Sequence, residues 1–218
     1  MKNYSLLFLV VLLCNCKGKT EVKSSRVDAL PYYNDASFTP HWLEGKTTDL
    51  KSFHKIPEFT LTNQDGQQIT QKTFENKIYV TDFFFTSCPG ICPKMTENMS
   101  VLQDAFKDDD QVLLLSHSVT PVKDSVSILK HYAEGKGVIT NKWHIVTGDR
   151  KQIYDLGRQA YFVEEDLGNK KTDDDFLHTE NFVLIDKNKH IRGIYNGLNK
   201  TAVQQLIADI KTLEMEDK

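Results

Sequence analysis

The sequence predicts an α/β fold in which a mixed sheet is covered on both faces by helices. Three observations carry that expectation. Segments dense in β-branched and aromatic residues alternate with segments whose apolar residues recur at helical spacing. The chain closes on two short strands and a last helix. An aromatic strand ending in Asp82-Phe83-Phe84-Phe85 also runs into Thr86-Ser87-Cys88-Pro89-Gly90-Ile91-Cys92-Pro93, a Pro/Gly turn that places two thiols just ahead of a helix.

Taken in order, the elements begin with a leader. Lys2 precedes an apolar run over 6–13, then Cys14-Asn15-Cys16, then a polar stretch over 17–26. So short a run cannot span a bilayer, which needs about 20 residues, and the order fits a secretory signal. It resembles a bacterial lipoprotein signal, in which the cysteine becomes the lipidated first residue. Cys16, with Leu13 three residues before it, is the preferred lipidation site, and Cys14 is the alternative. An uncleaved anchor or a plain secretory signal is the competing reading. All of these place the body of the protein outside the cytoplasm, in the bacterial cell envelope, facing the periplasm or the exterior. Residues 1–16 are thus read as signal, 17–55 as a tether and surface-packed extension holding Pro31, Tyr32, Tyr33, Pro40, His41 and Trp42, and 56–218 as one folded domain.

That domain opens with an N-terminal hairpin, a strand over 56–63 turning at Asp65-Gly66 toward Ile69. A β-branched and aromatic run over 78–85 reads as a central strand buried on both faces. Met95, Met99, Leu102 and Phe106 form the inward face of a helix over 93–106, where helical spacing makes the methionines core rather than ligands. A second strand spans 112–119. Asp124 is expected to N-cap a helix over 125–134 that Gly135 and Gly137 end. A third strand at 143–147 leads through Gly148-Asp149 into a helix carrying Ile153, Leu156 and Ala160. An acidic, lysine-bearing excursion over 164–175 precedes a hairpin of 182–186 with 191–195, and a helix over 201–213 ends the pattern. The closing β-β-α unit and the thiols at the end of the first central strand together predict a thioredoxin-like fold.

A formal net charge of −3 argues against nucleic-acid binding, which uses a basic face. With Cys14 and Cys16 in the leader, the folded body holds only Cys88 and Cys92. A disulfide closing so short a loop constrains the unfolded chain little, so a purely structural bridge explains the pair poorly. A helix N-terminus favours thiolates, which serve both redox exchange and soft-metal binding. The C-x-x-x-C spacing is one residue longer than redox C-x-x-C and leaves copper(I) or another thiophilic metal open.

Two thiolates under-coordinate a metal, so a histidine is sought among His41, His54, His117, His131, His144, His178 and His190. His131 on a helix and His190 in a hairpin turn read as surface residues, and His144 as a hydrogen-bonded strand residue. His41 and His54 are unplaced. His117, near the carboxyl end of the second strand, is a competitor. His178 is placed best, because in thioredoxin-like folds the loop leading into the corresponding strand faces the cysteines. Asp82, six residues before Cys88, is read equally as a proton acceptor for a thiol and as a carboxylate held by backbone hydrogen bonds.

D-F-F-F-T-S-C-P-G-I-C-P, followed by F-L-H-T and F-V-L-I-D, resembles the Sco/SenC family of copper-binding proteins from Ile56 onward. The family's members are membrane-tethered thioredoxin-fold proteins that take part in assembling the dinuclear copper centre of cytochrome c oxidase. The resemblance implies Cys88, Cys92 and His178 as ligands of copper(I) or copper(II). It also implies a copper-accepting partner, cytochrome c oxidase subunit II, and a membrane attachment through the N-terminal lipid. The alternative is a thiol-disulfide oxidoreductase, with Cys88 and Cys92 as a redox-active pair recharged by a thiol-disulfide reductant. A copper or redox sensor is a third reading. Two departures from the family pattern stand out: Thr120 and Val126 replace an aspartate and a proline in S-V-T-P-V-K-D-S-V, and Phe176-Leu177 separate Asp175 from His178.

Overall fold

Alternate residues of a strand point to opposite sides of the sheet, and here that alternation sorts two cores. The computed structural model describes residues 24–43, 49–164, 176–177 and 179–216. Within them β1 (Thr60–Asn63), β2 (Gln68–Thr70), β3 (Ile78–Phe84), β4 (Val112–Ser118), β5 (Trp143–Thr147), β6 (Asn181–Ile185) and β7 (Ile191–Asn196) form one sheet. Its order is β2-β1-β5-β4-β3-β6-β7. β3, β4 and β5 run parallel, while β1 and β6 pair antiparallel on either side of them.

Ile78, Val80 and Phe84 of β3, with Val112 and Leu114 of β4, pack beneath α1 (Cys92–Phe106), α2 (Val126–Lys136) and α4 (Lys200–Glu216). Tyr79, Phe83, Leu113 and Leu115 point the other way, toward α3 (Arg150–Asp155) and the turn that follows it. Parallel strands covered on both faces need the near-continuous apolar runs that β3 and β4 carry. The architecture is thioredoxin-like. Met95 and Met99 are fully buried in the α1 core, as their spacing predicts.

Local chemistry explains the boundaries. Asn63 Oδ1 accepts from the backbone N–H groups of Asp65 and Gln67 at 3.0 and 2.9 Å, and Gly66 takes φ +76°, so the β1–β2 turn is set by an Asx-type acceptor and a glycine. The N-cap of α2 is Ser125, whose hydroxyl accepts from Ile128 N–H at 3.4 Å. This corrects the expectation for Asp124, which is buried and used elsewhere. Gly135 lies inside α2, and Gly137 (φ +67°) supplies its left-handed C-cap. The helix expected to carry Ile153 through Ala160 divides. After α3, Leu156–Ala160 widens into a π-turn, with Tyr161 N–H donating to Leu156 O at 2.7 Å. Phe162 then adopts φ +50°, a strained choice for a bulky side chain, and Val163 N–H returns to Gly157 O at 3.0 Å.

The described part of the N-terminal extension is fastened to the far edge of the sheet. Tyr33 forms a bridge with Ile191 of β7, and Tyr32 pairs with His41. Buried Arg192 donates to Leu30 O, Pro31 O, Asp186 and Glu216, and lies 4.0 Å over the Tyr32 ring. His190, expected on the surface, is buried against this segment, with Nδ1 at 2.9 Å from His54 O and the Tyr32 ring edge-on against it. His54 in turn places Nε2 at 2.7 Å from Ala160 O. His131 is exposed, as expected. The leader with Cys14 and Cys16, and the excursion over 165–175, lie outside the described residues. No described helix is long and apolar enough to cross a membrane.

Candidate metal centre

The site starts where β3 runs out. Cys88 N–H donates to Phe85 O at 3.3 Å, closing a turn that ends at Cys92, the first residue of α1. Pro93 follows in the first helical turn, where its missing N–H costs nothing because that donor is unpaired anyway. The helix onset therefore falls on the second thiol. Cys88 is partly exposed and Cys92 is buried, and both are free thiols.

The two thiols differ electrostatically. Partial burial pushes the Cys88 thiol up, but the hydrogen bond with Cys92 and the backbone N–H groups of Cys92, Gly90 and Ile91 outweigh it, leaving its pKa below that of an ordinary thiol. Burial, reinforced by Cys88 and by the Asp82 charge, pushes Cys92 up to about 12. Cys88 is therefore the more readily ionised thiol of the pair, and Cys92 the one that holds its proton more firmly. Tyr132 packs against the same core cluster as the two cysteines. Its ring sits 5.3 Å from that of Phe84, its hydroxyl is 2.7 Å from Thr96 Oγ1, and burial raises its pKa to about 12.

Asp82 lies on this face, because it shares strand parity with Val80 and Phe84. It is 2 % exposed and accepts from Ser116 Oγ at 2.5 Å, while Ser116 accepts from Trp143 Nε1–H at 2.8 Å. Burial raises its pKa to about 7, with the Ser116 hydrogen bond opposing the rise. The carboxyl is held by a side-chain relay rather than by the backbone alone.

His117 is excluded from the thiols by the pleat. It pairs in register with Phe83, stacks on that ring at 4.5 Å and packs near Phe59 and Tyr161 on the opposite face. Its Nδ1 meets Thr81 Oγ1 at 3.1 Å, and burial lowers its pKa to about 3. As a ligand competitor it is ruled out. His144 is nearly buried, with Nδ1 at 3.5 Å from Asn63 Nδ2, the structural role expected of it.

His178 lies outside the described residues, but its neighbours do not. Phe176 meets Phe85 edge-on at 5.3 Å, and Phe85 is the residue whose carbonyl closes the cysteine turn. Leu177 is 1 % exposed in the core beside Phe83. Thr179 donates its hydroxyl to Val163 O at 2.6 Å. Asp124, displaced from its expected capping role, accepts from Thr86 N–H and Oγ1, Ser118 Oγ and Thr120 Oγ1, tying the turn before Cys88 to the loop after β4. Three hydroxyls and an amide converging on one carboxylate need it more than a helix end does. Sequence reading missed Ser116, Trp143, Tyr132 and Thr86. Strand parity was available to assign faces, but register was not.

The donor set fits a soft cation. Two sulfurs pack with the apolar core on the face that also carries the buried Asp82 carboxyl, and among the described residues no three His, Cys, Asp or Glu side chains group to hold a metal.

The SCO1/SenC family model matches residues 47–214, most of the chain. The chain belongs to the SCO1/SenC family. Among solved structures it is similar to a SCO1/SenC family lipoprotein from Bacillus anthracis, at 30% identity and TM-score 0.63 over 74% of this chain and 95% of that one. It is similar to BsSco, a member of the Sco family of cytochrome c oxidase assembly proteins in which a disulfide switch was identified, at 28% identity and TM-score 0.61 over 73% and 93%. It is also similar to Bradyrhizobium japonicum ScoI with copper bound, at 25% identity and TM-score 0.57 over 73% and 99%. Within this Sco/SenC chain the cysteine turn, the Asp124 knot and the segment flanking His178 all lie inside the matched span.

Proposed function

We propose that this chain binds one copper ion through Cys88, Cys92 and His178 and delivers it during assembly of the copper centre of cytochrome c oxidase, with subunit II as acceptor. The observation that carries the reading is the paired thiols, one partly exposed and more readily ionised and one buried at a helix start. The copper-bound ScoI structure at 25% identity supports the choice of metal. Phe176 on Phe85, and Leu177 and Thr179 on either side of His178 in the chain, support His178 as third donor. A copper ion held by these residues would supply positive charge beside the sulfurs and so favour the thiolate of Cys92, which burial otherwise opposes. The chain's own part is to present the sulfurs, exclude water on the buried side and hold the turn through Asp124. The leader over 1–16, lipidated at Cys16, and the extension over 17–55 tether the domain over 56–218 to the membrane of the cell envelope, in line with the lipoprotein from Bacillus anthracis.

A second reading is favoured by the disulfide switch of BsSco and by the unequal thiols. Cys88 attacks a client disulfide, Cys92 resolves the mixed disulfide, and two electrons and two protons pass to the client, leaving Cys88–Cys92 oxidised. A dithiol reductant then restores the pair. Because a disulfide cannot ligate copper, the two readings alternate in one site. Metal analysis of protein purified under reducing conditions tests the first, with one copper per chain expected and none in Cys88→Ser. His178→Ala is expected to weaken copper binding greatly and to leave the dithiol reduction potential unchanged. Wild-type copper affinity in that variant removes the third ligand from the scheme.

A further inference from the structure

The π-turn after α3 and the residues just after it have no part in the thiol chemistry, yet both chain neighbours of His178 are anchored there. On one side, the bare Cα of Gly157 faces Leu177: a Cβ there would lie 2.7 Å from Leu177 Cδ2 and 3.1 Å from Phe83 Cε1. Leu177 has no room to retreat, since it is 1 % exposed and Phe83 is itself stacked on His117. On the other side, Thr179 Oγ1 and Asn181 Nδ2 both donate to Val163 O, at 2.6 and 2.9 Å. Val163 N–H closes the circuit on Gly157 O at 3.0 Å. A glycine inside a helical turn is unfavourable for the backbone, and this one has no positive φ to require it. Its value here is the space it leaves.

We propose that Gly157 is a positioning residue for the His178 ligand, acting through Leu177, with Val163 and Thr179 as the second anchor of the same bracket. The proposal rests on the reading of His178 as a copper donor. Adding a methyl at Gly157 displaces Leu177, the residue that precedes His178 in the chain, and copper binding weakens as a consequence. Supports of this kind typically change metal affinity by about 10- to 100-fold when disturbed.

The test uses the full chain loaded with copper(I) against a competing chelator, and with copper(II) for electron paramagnetic resonance. Gly157→Ala is expected to lose about tenfold or more in copper affinity and to alter the nitrogen hyperfine pattern, at unchanged Cys88–Cys92 reduction potential. Shortening the plug in the double variant Gly157→Ala/Leu177→Val is expected to restore both. Wild-type affinity and spectrum in Gly157→Ala overturn the proposal. If Gly157→Ala does not fold, Thr179→Val decides, with a comparable loss supporting the bracket and wild-type affinity overturning it. His178→Ala separates the two claims. If it binds copper normally, the ligand assignment falls and the bracket with it; if it binds weakly while Gly157→Ala binds normally, only the bracket falls.

Discussion

Asp82 and His117 are neighbours across β3 and β4, one register step apart, and they live in opposite worlds. Asp82 lies on the face of the thiols, held by Ser116 and Trp143, with burial raising its pKa to about 7. His117 lies on the other face between aromatic rings, with burial lowering its pKa to about 3. Both shifts have one cause, since a low-polarity core penalises whichever form carries charge. Both shifts favour the neutral form, but only Asp82 lies on the face of the cysteines. One pleat separates a residue that belongs to the site from one that does not.

The sharpest way to break this comparison is copper binding. Cys92→Ser on the thiol face is expected to abolish copper(I) binding in a chelator competition, whereas His117→Phe leaves it unchanged. A loss in His117→Phe would mean the faces communicate. Next in size is packing. Trp143→Ala, which also cuts the Ser116–Asp82 relay, is expected to cost about 3–5 kcal/mol in urea unfolding. A cost near zero would show that the relay and its core are dispensable.

The pH dependence is smaller and tests both residues at once. The folded pKa of Asp82 is raised, so its favourable contribution is complete below about pH 4 and is lost as pH rises through about 7. The folded pKa of His117 is depressed, so its contribution is present above about pH 6.5 and is lost as pH falls toward about 3. Between about pH 4 and 6.5 the two slopes oppose, each about 1.4 kcal/mol per pH unit at most. Asp82→Asn is thus expected to make stability rise with pH in that window relative to wild type, and His117→Gln to make it fall. Slopes of the same sign would refute the opposed environments. Smallest of all, Tyr161→Phe removes one hydroxyl from the buried Tyr79–Tyr161 pair at 3.1 Å and is expected to cost about 1 kcal/mol in the same assay, with copper affinity unaffected.

Much of this was legible in the chain itself. The spacing of Met95, Met99, Leu102 and Phe106 locates α1 to within a residue of its N-terminus, because helical periodicity is a local property. Asp65-Gly66 marks the first hairpin for the same reason. Asp124 misled because a carboxylate before a serine-led helix looks like a cap, while its real donors, Thr86 and Ser118, come from other segments of the sequence. His190 misled because a turn residue is exposed unless something covers it, and Tyr32 and His54 do.

The sequence by itself determined the alternation of strands and helices, the two thiols at a strand-to-helix turn and the burial of β3 on both faces, since each follows from residue types a few positions apart. Only the tertiary structure decided that Ser116 stands beside Asp82, that His117 turns its back on the thiols and that Gly157 makes room for Leu177. These depend on strand register and on contacts between distant segments. A one-residue slip in register would reverse every face assignment without changing a single local preference.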